Sequence, residues 1–191
     1  MKTLHTNGNR DIAEYDITLP KMRDDQIKIK TAFCGVCRSD VAAYAGWEKA
    51  MPFGMQGHEG VGTVVEVGSD IKHLQVGDFV SSWSDPAYGD YYYATEGECV
   101  KIPELHKKYI LQPVACAINI IKKTLNFYDY KSSDEILLIG SGFMSLIIGQ
   151  YLKKLNINHL VCGSSNKEEW EKRRQESVLA QRASMGVPNE G

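Results

Sequence analysis

The stretch that decides the fold runs from Cys34 to Gly68 and contains two short motifs, Cys34-Gly-Val-Cys-Arg-Ser-Asp40 and Gly57-His-Glu-Gly-Val-Gly62. Together the motifs offer a thiolate, an imidazole and two carboxylates among glycines, a ligand set that a borderline-soft cation such as zinc accepts. Each motif alone is ambiguous. A single Cys-x-x-Cys also fits a redox pair or two buried thiols, and the sequence has no second Cys-x-x-Cys for a four-cysteine structural site.

In this order the two motifs, followed by Val76-Gly-Asp-Phe-Val80, resemble the zinc-dependent medium-chain alcohol dehydrogenase family. The resemblance covers the chain from about Asp11 to Gly186. It implies a mixed α/β fold with a GroES-like β-barrel domain over residues 1–112, which binds zinc and is catalytic. A partial NAD(P)-binding Rossmann domain is expected over residues 113–191. Because chains of the family continue beyond this point, we expect an N-terminal fragment or a truncated product.

The bulk composition excludes several classes of partner. The formal net charge of the 191 residues is -2, and basic residues are interleaved with acidic ones. This gives no electrostatic basis for binding nucleic acid or an anionic membrane. Five cysteines without a secretory segment favour a reducing compartment, so we expect a soluble cytoplasmic protein. A homo-oligomer is compatible with the sequence.

Short strands interrupted by glycine and proline are expected in the first part of the chain. Tyr15–Leu19 and the alternating Gln26–Thr31 predict two strands, the second with Ile27, Ile29 and Thr31 on one face. Gly60–Gly68 predicts another strand, and strict alternation separates its apolar residues. One face would carry Val61, Thr63, Val65 and Val67, and the other Val64 and Glu66. A short helix is expected after Ser39, and the aromatic run Tyr88–Tyr93 favours a further strand.

From Leu111 onward the apolar period changes to that of a helix, with the face Val114, Ala117, Ile118, Ile121 and Leu125. Ser133–Ile139 then predicts a parallel strand covered on both faces. It leads into Gly140-Ser-Gly142 and a second helix, and His159–Cys162 predicts the next strand. The inner face of that helix is predicted to be Met144, Ile147, Ile148, Tyr151 and Leu155. A strand, glycine turn, helix and strand in succession form a βαβ dinucleotide fingerprint, in which Ser145 replaces the third glycine and would space helix and strand slightly farther apart.

The resemblance implies a catalytic zinc with three protein ligands, Cys37, His58 and Cys116, and with Glu59 as a transient fourth ligand or close neighbour. It further implies that Asp40 orients His58, that Ser39 relays the substrate proton and that Arg38 pairs with the cofactor pyrophosphate. Each assignment has a simpler alternative, such as a helix N-cap for Asp40, a turn hydroxyl for Ser39 and a surface charge for Arg38. Cys116 could equally be a small residue in a helix packing face.

Relatives in the family often carry a second, structural zinc on four closely spaced cysteines, but the corresponding stretch here has only Cys99. We therefore expect one zinc, with Cys99 and Cys162 as buried apolar thiols. The cofactor is expected to contact the first turn of the second helix through Gly140, Gly142, Phe143 and Met144. No acidic residue follows Cys162 until Glu168, so Ser164, Ser165 and Lys167 favour NADP over NAD.

Two functions from different classes remain. The first is an oxidoreductase, or its N-terminal portion, that transfers hydride between NAD(P)(H) and an alcohol or aldehyde. The alternative is a non-catalytic, truncated zinc-binding or interaction protein. A zinc-free quinone reductase of the same superfamily is disfavoured because Cys37, His58 and Glu59 are all present. For the 191 residues alone we expect little activity, and an aggregation-prone end beyond about Ser132.

Overall fold

The computed structural model describes residues 1–47, 52–131 and 133–163. Its chain forms two compact units, one from Met1 to Pro113 and one that begins at Val114. The architecture is mixed α/β, with an antiparallel sheet in the first unit and a parallel βαβ arrangement in the second. None of the helices in the described ranges has the length and apolarity that a membrane crossing requires.

The described part of the first unit contains seven strands. They are β1 (Lys2–Gly8), β2 (Asp11–Asp16), β3 (Gln26–Cys34), β4 (Gly60–Val67), β5 (Phe79–Ser82), β6 (Tyr91–Thr95) and β7 (Cys99–Ile102). The first two form a hairpin, and the others form a separate antiparallel sheet with the spatial order β6-β3-β4-β5-β7. The strand predicted at Tyr15–Leu19 is wrong in its bounds. It lies earlier, where the chain pairs with β1: Asp16 is the partner of Lys2, and just beyond the strand Ile17 exchanges two hydrogen bonds with Met1, at 2.9 and 2.8 Å.

The core of the first unit lies on one face of β3 and its neighbours. Ile27 and Ile29 are fully buried, which confirms the predicted alternation of β3. Their neighbours in the core come from four other segments of the unit. These neighbours are Val64, Val80, Ala87, Tyr92 and Ala94. The partly buried side chains of Cys34, Ile71, Leu74 and Cys99 pack against this core and complete its cover.

Strand β4 does not alternate as predicted. Lys28 pairs with Glu66 and Ile29 pairs with Val64, so one residue of β4 has no partner between them. This bulge places Val64 and Val67 on the same face, that of Ile29 and Ile27, because directly paired residues share a face. The prediction that grouped Val64 with Glu66 and opposed it to Val67 is therefore wrong.

The predicted short helix is present as α1 (Arg38–Ala45). It buries two small residues, Ala42 and Ala43, and ends at Gly46, whose positive φ of 74° is the left-handed conformation that glycine adopts readily. The loop that follows enters residues 48–51, which lie outside the described residues.

The second unit contains α2 (Gln112–Phe127), β8 (Ile136–Ile139), α3 (Phe143–Lys154) and β9 (His159–Cys162). Strands β8 and β9 are parallel, which confirms the predicted βαβ unit. The face of α2 is also as predicted, since Ala117 and Ile121 are buried. In α3, the most buried side chain is Leu152, which was not predicted, whereas Leu155 is 41% exposed because the helix ends at Lys154.

The expectation that β8 is covered on both faces is not met. Ile136 and Leu138 pack against the small core of Ile121, Leu152 and Ile157. The alternate residues Leu137 and Ile139 are each 40% exposed. The mixed-charge helix predicted beyond Lys167 lies outside the described residues.

Candidate metal centre

The two motifs meet because β3 and β4 are antiparallel neighbours. Cys34 at the end of β3 pairs with Gly60 at the start of β4, so the residues just after β3 lie beside those just before β4. The chain order then places Cys37 next to His58 and Glu59. One ligand atom from each, a thiol sulphur, a ring nitrogen and a carboxylate oxygen, all lie within 4.8 Å of one another. Among the described residues this is the single cluster of metal-ligand type.

Cys37 is fixed by the start of α1, where it is the N-cap residue. Its amide donates a hydrogen bond of 2.7 Å to the Asp40 carboxylate, and its carbonyl accepts bonds from the amides of Asp40 and Val41. The alternative that Asp40 is the N-cap is therefore wrong in position, since Cys37 is the N-cap and Asp40, the third residue of the helix, closes a capping box with it. Its role as the group that orients His58 stays a prediction.

Glu59 is only 6% exposed, which is rare for an ionisable side chain without a partner cation. Burial raises the pKa of its carboxyl, and the charge of Asp40 acts in the same direction, whereas His58 and Cys37 oppose the shift. A side chain at Gly35 would overlap the Glu59 carboxylate, and the Gly35 amide donates to the Glu59 carbonyl at 3.0 Å. Because Gly35 has no side chain, the loop between β3 and α1 can approach this carboxylate closely.

Two residues near the centre were missed by the sequence analysis. Asp85 is half-buried, and burial raises the pKa of its carboxyl while nearby His58 opposes the shift. Tyr88 packs its ring on Gly57, where an added Cβ would lie 2.6 Å from the ring, and its hydroxyl donates to the Gly35 carbonyl at 3.3 Å. Burial, followed by the charge of Asp40, raises the pKa of Tyr88. No sequence motif identifies either residue, because only the tertiary fold places them beside the two motifs.

Three other residues, predicted to bind the metal, the substrate proton or the cofactor pyrophosphate, are exposed to solvent. Ser39 is exposed on α1, and the Arg38 guanidinium lies 5.7 Å from the centre of the Trp47 ring. Cys116 is exposed on α2, in the second unit. Its role as a third zinc ligand stays a prediction.

The thiols predicted to be apolar packing residues agree with this role in part. Cys99 packs against the core of the first unit, and burial raises its pKa to about 12. Cys162 is half-buried in β9. Cys34, the first cysteine of the Cys-x-x-Cys, also has its pKa raised to about 12 by burial. Cys37 is the metal-binding candidate of that pair because its sulphur lies in the cluster with His58 and Glu59.

The predicted cofactor turn has the required backbone. Gly140 follows β8 with a φ of 112°, and Gly142 is the N-cap of α3 with open space where a side chain would be. Phe143 is 64% exposed at the first position of α3, and Met144 is half-buried. Free amides at this helix end suit a pyrophosphate. Ser164, Ser165 and Lys167 lie outside the described residues.

Comparison with known proteins agrees with these features. Residues 23–104 match the family model of the alcohol dehydrogenase GroES-like domain. An alcohol dehydrogenase from Geobacillus stearothermophilus is 26% identical over 185 residues, which are 80% of this chain and 54% of the relative. The chain thus spans about half the length of the curated relatives it matches.

Solved structures share the fold at lower identity. A cinnamyl alcohol dehydrogenase from Sorghum bicolor superposes with a TM-score of 0.69 at 18% identity, over 86% of this chain and 58% of that one. The quinone oxidoreductase of Escherichia coli in complex with NADPH gives 0.66 at 18% identity, over 91% and 56%. The fold is common to both kinds of enzyme. Residues 23–104 of this chain belong to the alcohol dehydrogenase GroES-like domain family, and the chain spans part of the length of the alcohol dehydrogenases that it resembles.

Proposed function

We propose that this chain contributes the metal centre and part of the cofactor site of a zinc-dependent oxidoreductase, which transfers hydride between NAD(P)(H) and an alcohol or aldehyde. The observation that carries the proposal is the convergence of Cys37, His58 and Glu59 within 4.8 Å in the first unit. The first unit would correspond to a GroES-like catalytic domain over residues 1–112, and the second to a partial Rossmann domain over 113–191.

The donor set fits zinc. Thiolate sulphur, imidazole nitrogen and carboxylate oxygen are its usual ligands, and three protein ligands with one open position are typical of a catalytic site. Cys37 and His58 would hold the ion with Glu59 beside them, and Cys116 is a further proposed ligand. A zinc ion held there supplies Lewis acidity, which favours loss of the alcohol proton and polarises a carbonyl.

The chain's own residues would perform the remaining tasks. Asp40 fixes the Cys37 backbone at the start of α1, so the thiol keeps its position. Glu59 contributes negative charge in a buried place, which strengthens attraction for a cation. The exposed hydroxyl of Ser39 is the proposed carrier of the substrate proton, and Arg38 the proposed partner of the cofactor pyrophosphate.

NADP(H) is the proposed cofactor. The open turn at Gly140 and Gly142 suits a pyrophosphate, and no acidic residue follows β9 before Glu168 to select the ribose hydroxyls of NAD. Ser164, Ser165 and Lys167 can donate to the additional phosphate of NADP. The NADPH complex of the fold relative is in keeping with this cofactor. A reducing, cytoplasmic location suits cysteines that are not joined in disulfides and is proposed with it.

Hydride transfer tests this proposal against the non-catalytic alternative. The natural protein that contains this segment should oxidise NADPH in the presence of small aldehydes, at about 1 per second or faster. It should bind NADPH more tightly than NADH. A Cys37→Ser variant should lose turnover, while Tyr93→Phe, which removes only an exposed hydrogen bond to the Pro20 carbonyl, should keep it. Metal binding without turnover for any alcohol or aldehyde would favour the alternative, and tighter binding of NADH would contradict the cofactor assignment.

A further inference from the structure

A buried glutamine lies two residues before His58. The Gln56 side chain is 4% exposed and makes two hydrogen bonds to one residue of β1. Its Oε1 accepts from the Thr6 amide at 2.8 Å, and its Nε2 donates to the Thr6 carbonyl at 3.0 Å. The side-chain amide thereby satisfies both backbone groups of Thr6, as a neighbouring strand would.

The hairpin needs this partner because its ladder is interrupted at this point. Regular pairing of β1 with β2 runs from Lys2 to His5 and resumes only at Gly8. Thr6 lies in the interruption and is itself only 4% exposed. Buried backbone groups without a partner are costly, so Gln56 supplies what β2 does not.

The main chain around His58 is anchored on other sides as well. The carbonyls of Gln56, Gly57 and Glu59 each accept a backbone hydrogen bond from another segment, at 3.2, 2.9 and 3.0 Å. Their donors are Tyr88, Ala87 and Gly35, respectively. Gly57 has a φ of 85° and no side chain to restrict it, so the peptide before His58 is easily rotated unless its neighbours are fixed.

We propose that Gln56 is a positioning residue for His58, and that it couples the β1–β2 hairpin to the affinity of the metal centre. The inference rests on the proposed function, since it requires a metal at Cys37 and His58. Gln56 fixes the segment two residues before the imidazole, so it acts on the ligand through the main chain, one step farther out than a group that hydrogen-bonds the ligand directly. Loss of this anchor removes one of the restraints on the segment, so that the imidazole departs more readily from the position that the metal requires.

A substitution that removes both hydrogen bonds at similar length is Gln56→Met. We expect the affinity for zinc, measured by competition with a chelator, to fall about 10-fold, the lower end of the range for groups bonded directly to a ligand, because Gln56 acts through the main chain. The visible spectrum of the cobalt-loaded protein should also change. The matched control is Gln26→Met, because Gln26 accepts a bond from the Arg23 amide on the exposed surface. A merely structural role predicts lower stability with unchanged zinc affinity and cobalt spectrum, and that result would overturn the proposal.

A second measurement uses the wild-type chain, in case Gln56→Met does not fold. Coupling between sites is reciprocal, so zinc binding should slow hydrogen exchange of the Thr6 amide. The slowing should exceed that of the Leu74 amide, which donates to the Glu96 carboxylate at 2.9 Å. Equal slowing at both amides would overturn the positioning role. If the wild-type chain binds no zinc, the proposed function fails as well. If the wild type binds zinc and the Gln56→Met variant binds it with the same affinity, only this inference is refuted.

Discussion

The two compact units differ in how completely each covers its apolar residues. In the first, Ile27, Ile29 and Val64 are fully buried inside a five-stranded sheet. In the second, the two-stranded sheet of β8 and β9 buries one face and leaves Leu137 and Ile139 each 40% exposed. Strands β3 and β8 both alternate between more buried and more exposed residues. Within the described residues, only in the first unit do the strands of the sheet enclose the core themselves.

The difference explains why the metal-ligand cluster lies in the first unit. Ligand atoms must be held at fixed separations, so their loops need anchors on both sides. The loops of Cys37 and Glu59 have such anchors in β3, β4 and α1. A two-stranded parallel sheet is marginal by itself, and it can offer a backbone turn for a cofactor more readily than a rigid ion site.

The largest expected effect contrasts the two apolar faces. Ile29→Ala removes a fully buried side chain from the first unit and should lower the free energy of unfolding by about 2 to 5 kcal/mol. Leu137→Ala truncates a side chain that already contacts solvent and should cost about 1 kcal/mol or less. Urea denaturation followed by circular dichroism measures both. Equal losses for the two variants would show that the faces of β8 are covered as fully as the core of the first unit.

A smaller effect concerns the turn before His58. Gly57→Ala places a Cβ 2.6 Å from the Tyr88 ring at a φ of 85°, whereas Gly77→Ala has a φ of 94° with nothing within 4 Å. Both variants carry the strain of a left-handed alanine, but only the first disturbs packing. Gly57→Ala should therefore be less stable than Gly77→Ala by about 1 to 3 kcal/mol, measured as thermal unfolding of the metal-free chain. Matched stabilities would mean that Tyr88 does not pack on this turn.

Much of the first unit could be predicted from local pattern. The alternation of Gln26–Thr31 gave the buried face of β3 correctly, and the two motifs gave the clustered Cys37, His58 and Glu59. The bulge in β4 could not be foreseen, because it arises from pairing with β3 and has no signature in Gly60–Gly68 itself.

The residues around the site were also hard to predict from the sequence, because their positions depend on long-range pairing. Asp85, Tyr88 and Gln56 are distant in sequence from Cys37 or lack any motif, and only the sheet topology makes them neighbours of the centre. In the second unit, periodicity located α3 but not its end, so Leu155 was wrongly placed on the inner face. Local chemistry thus identified the donors, and long-range pairing determined what holds them.

The smallest effect is the pH dependence of an ion pair in the first unit. Lys101 lies 2.6 Å from the Asp78 carboxylate, whose side chain is 8% exposed, and this contact lowers the pKa of Asp78. A carboxyl with a lowered folded pKa contributes stability above its unfolded pKa, and loses it as the pH falls through the folded value. Asp78→Asn should be less stable than wild type at neutral pH, with the gap closing below about pH 4. A stability difference between wild type and Asp78→Asn that does not change with pH would show that the charge of Asp78 does not contribute to it.

The central claim is that Cys37 and His58 hold a catalytic-type metal ion. Zinc analysis after exhaustive dialysis tests it most directly, on the wild-type chain and on Cys37→Ala combined with His58→Ala. The account predicts about one zinc per wild-type chain and almost none in the double variant, while the secondary structure of both stays alike. Two zinc ions per wild-type chain, or a zinc that survives the double substitution, would contradict it.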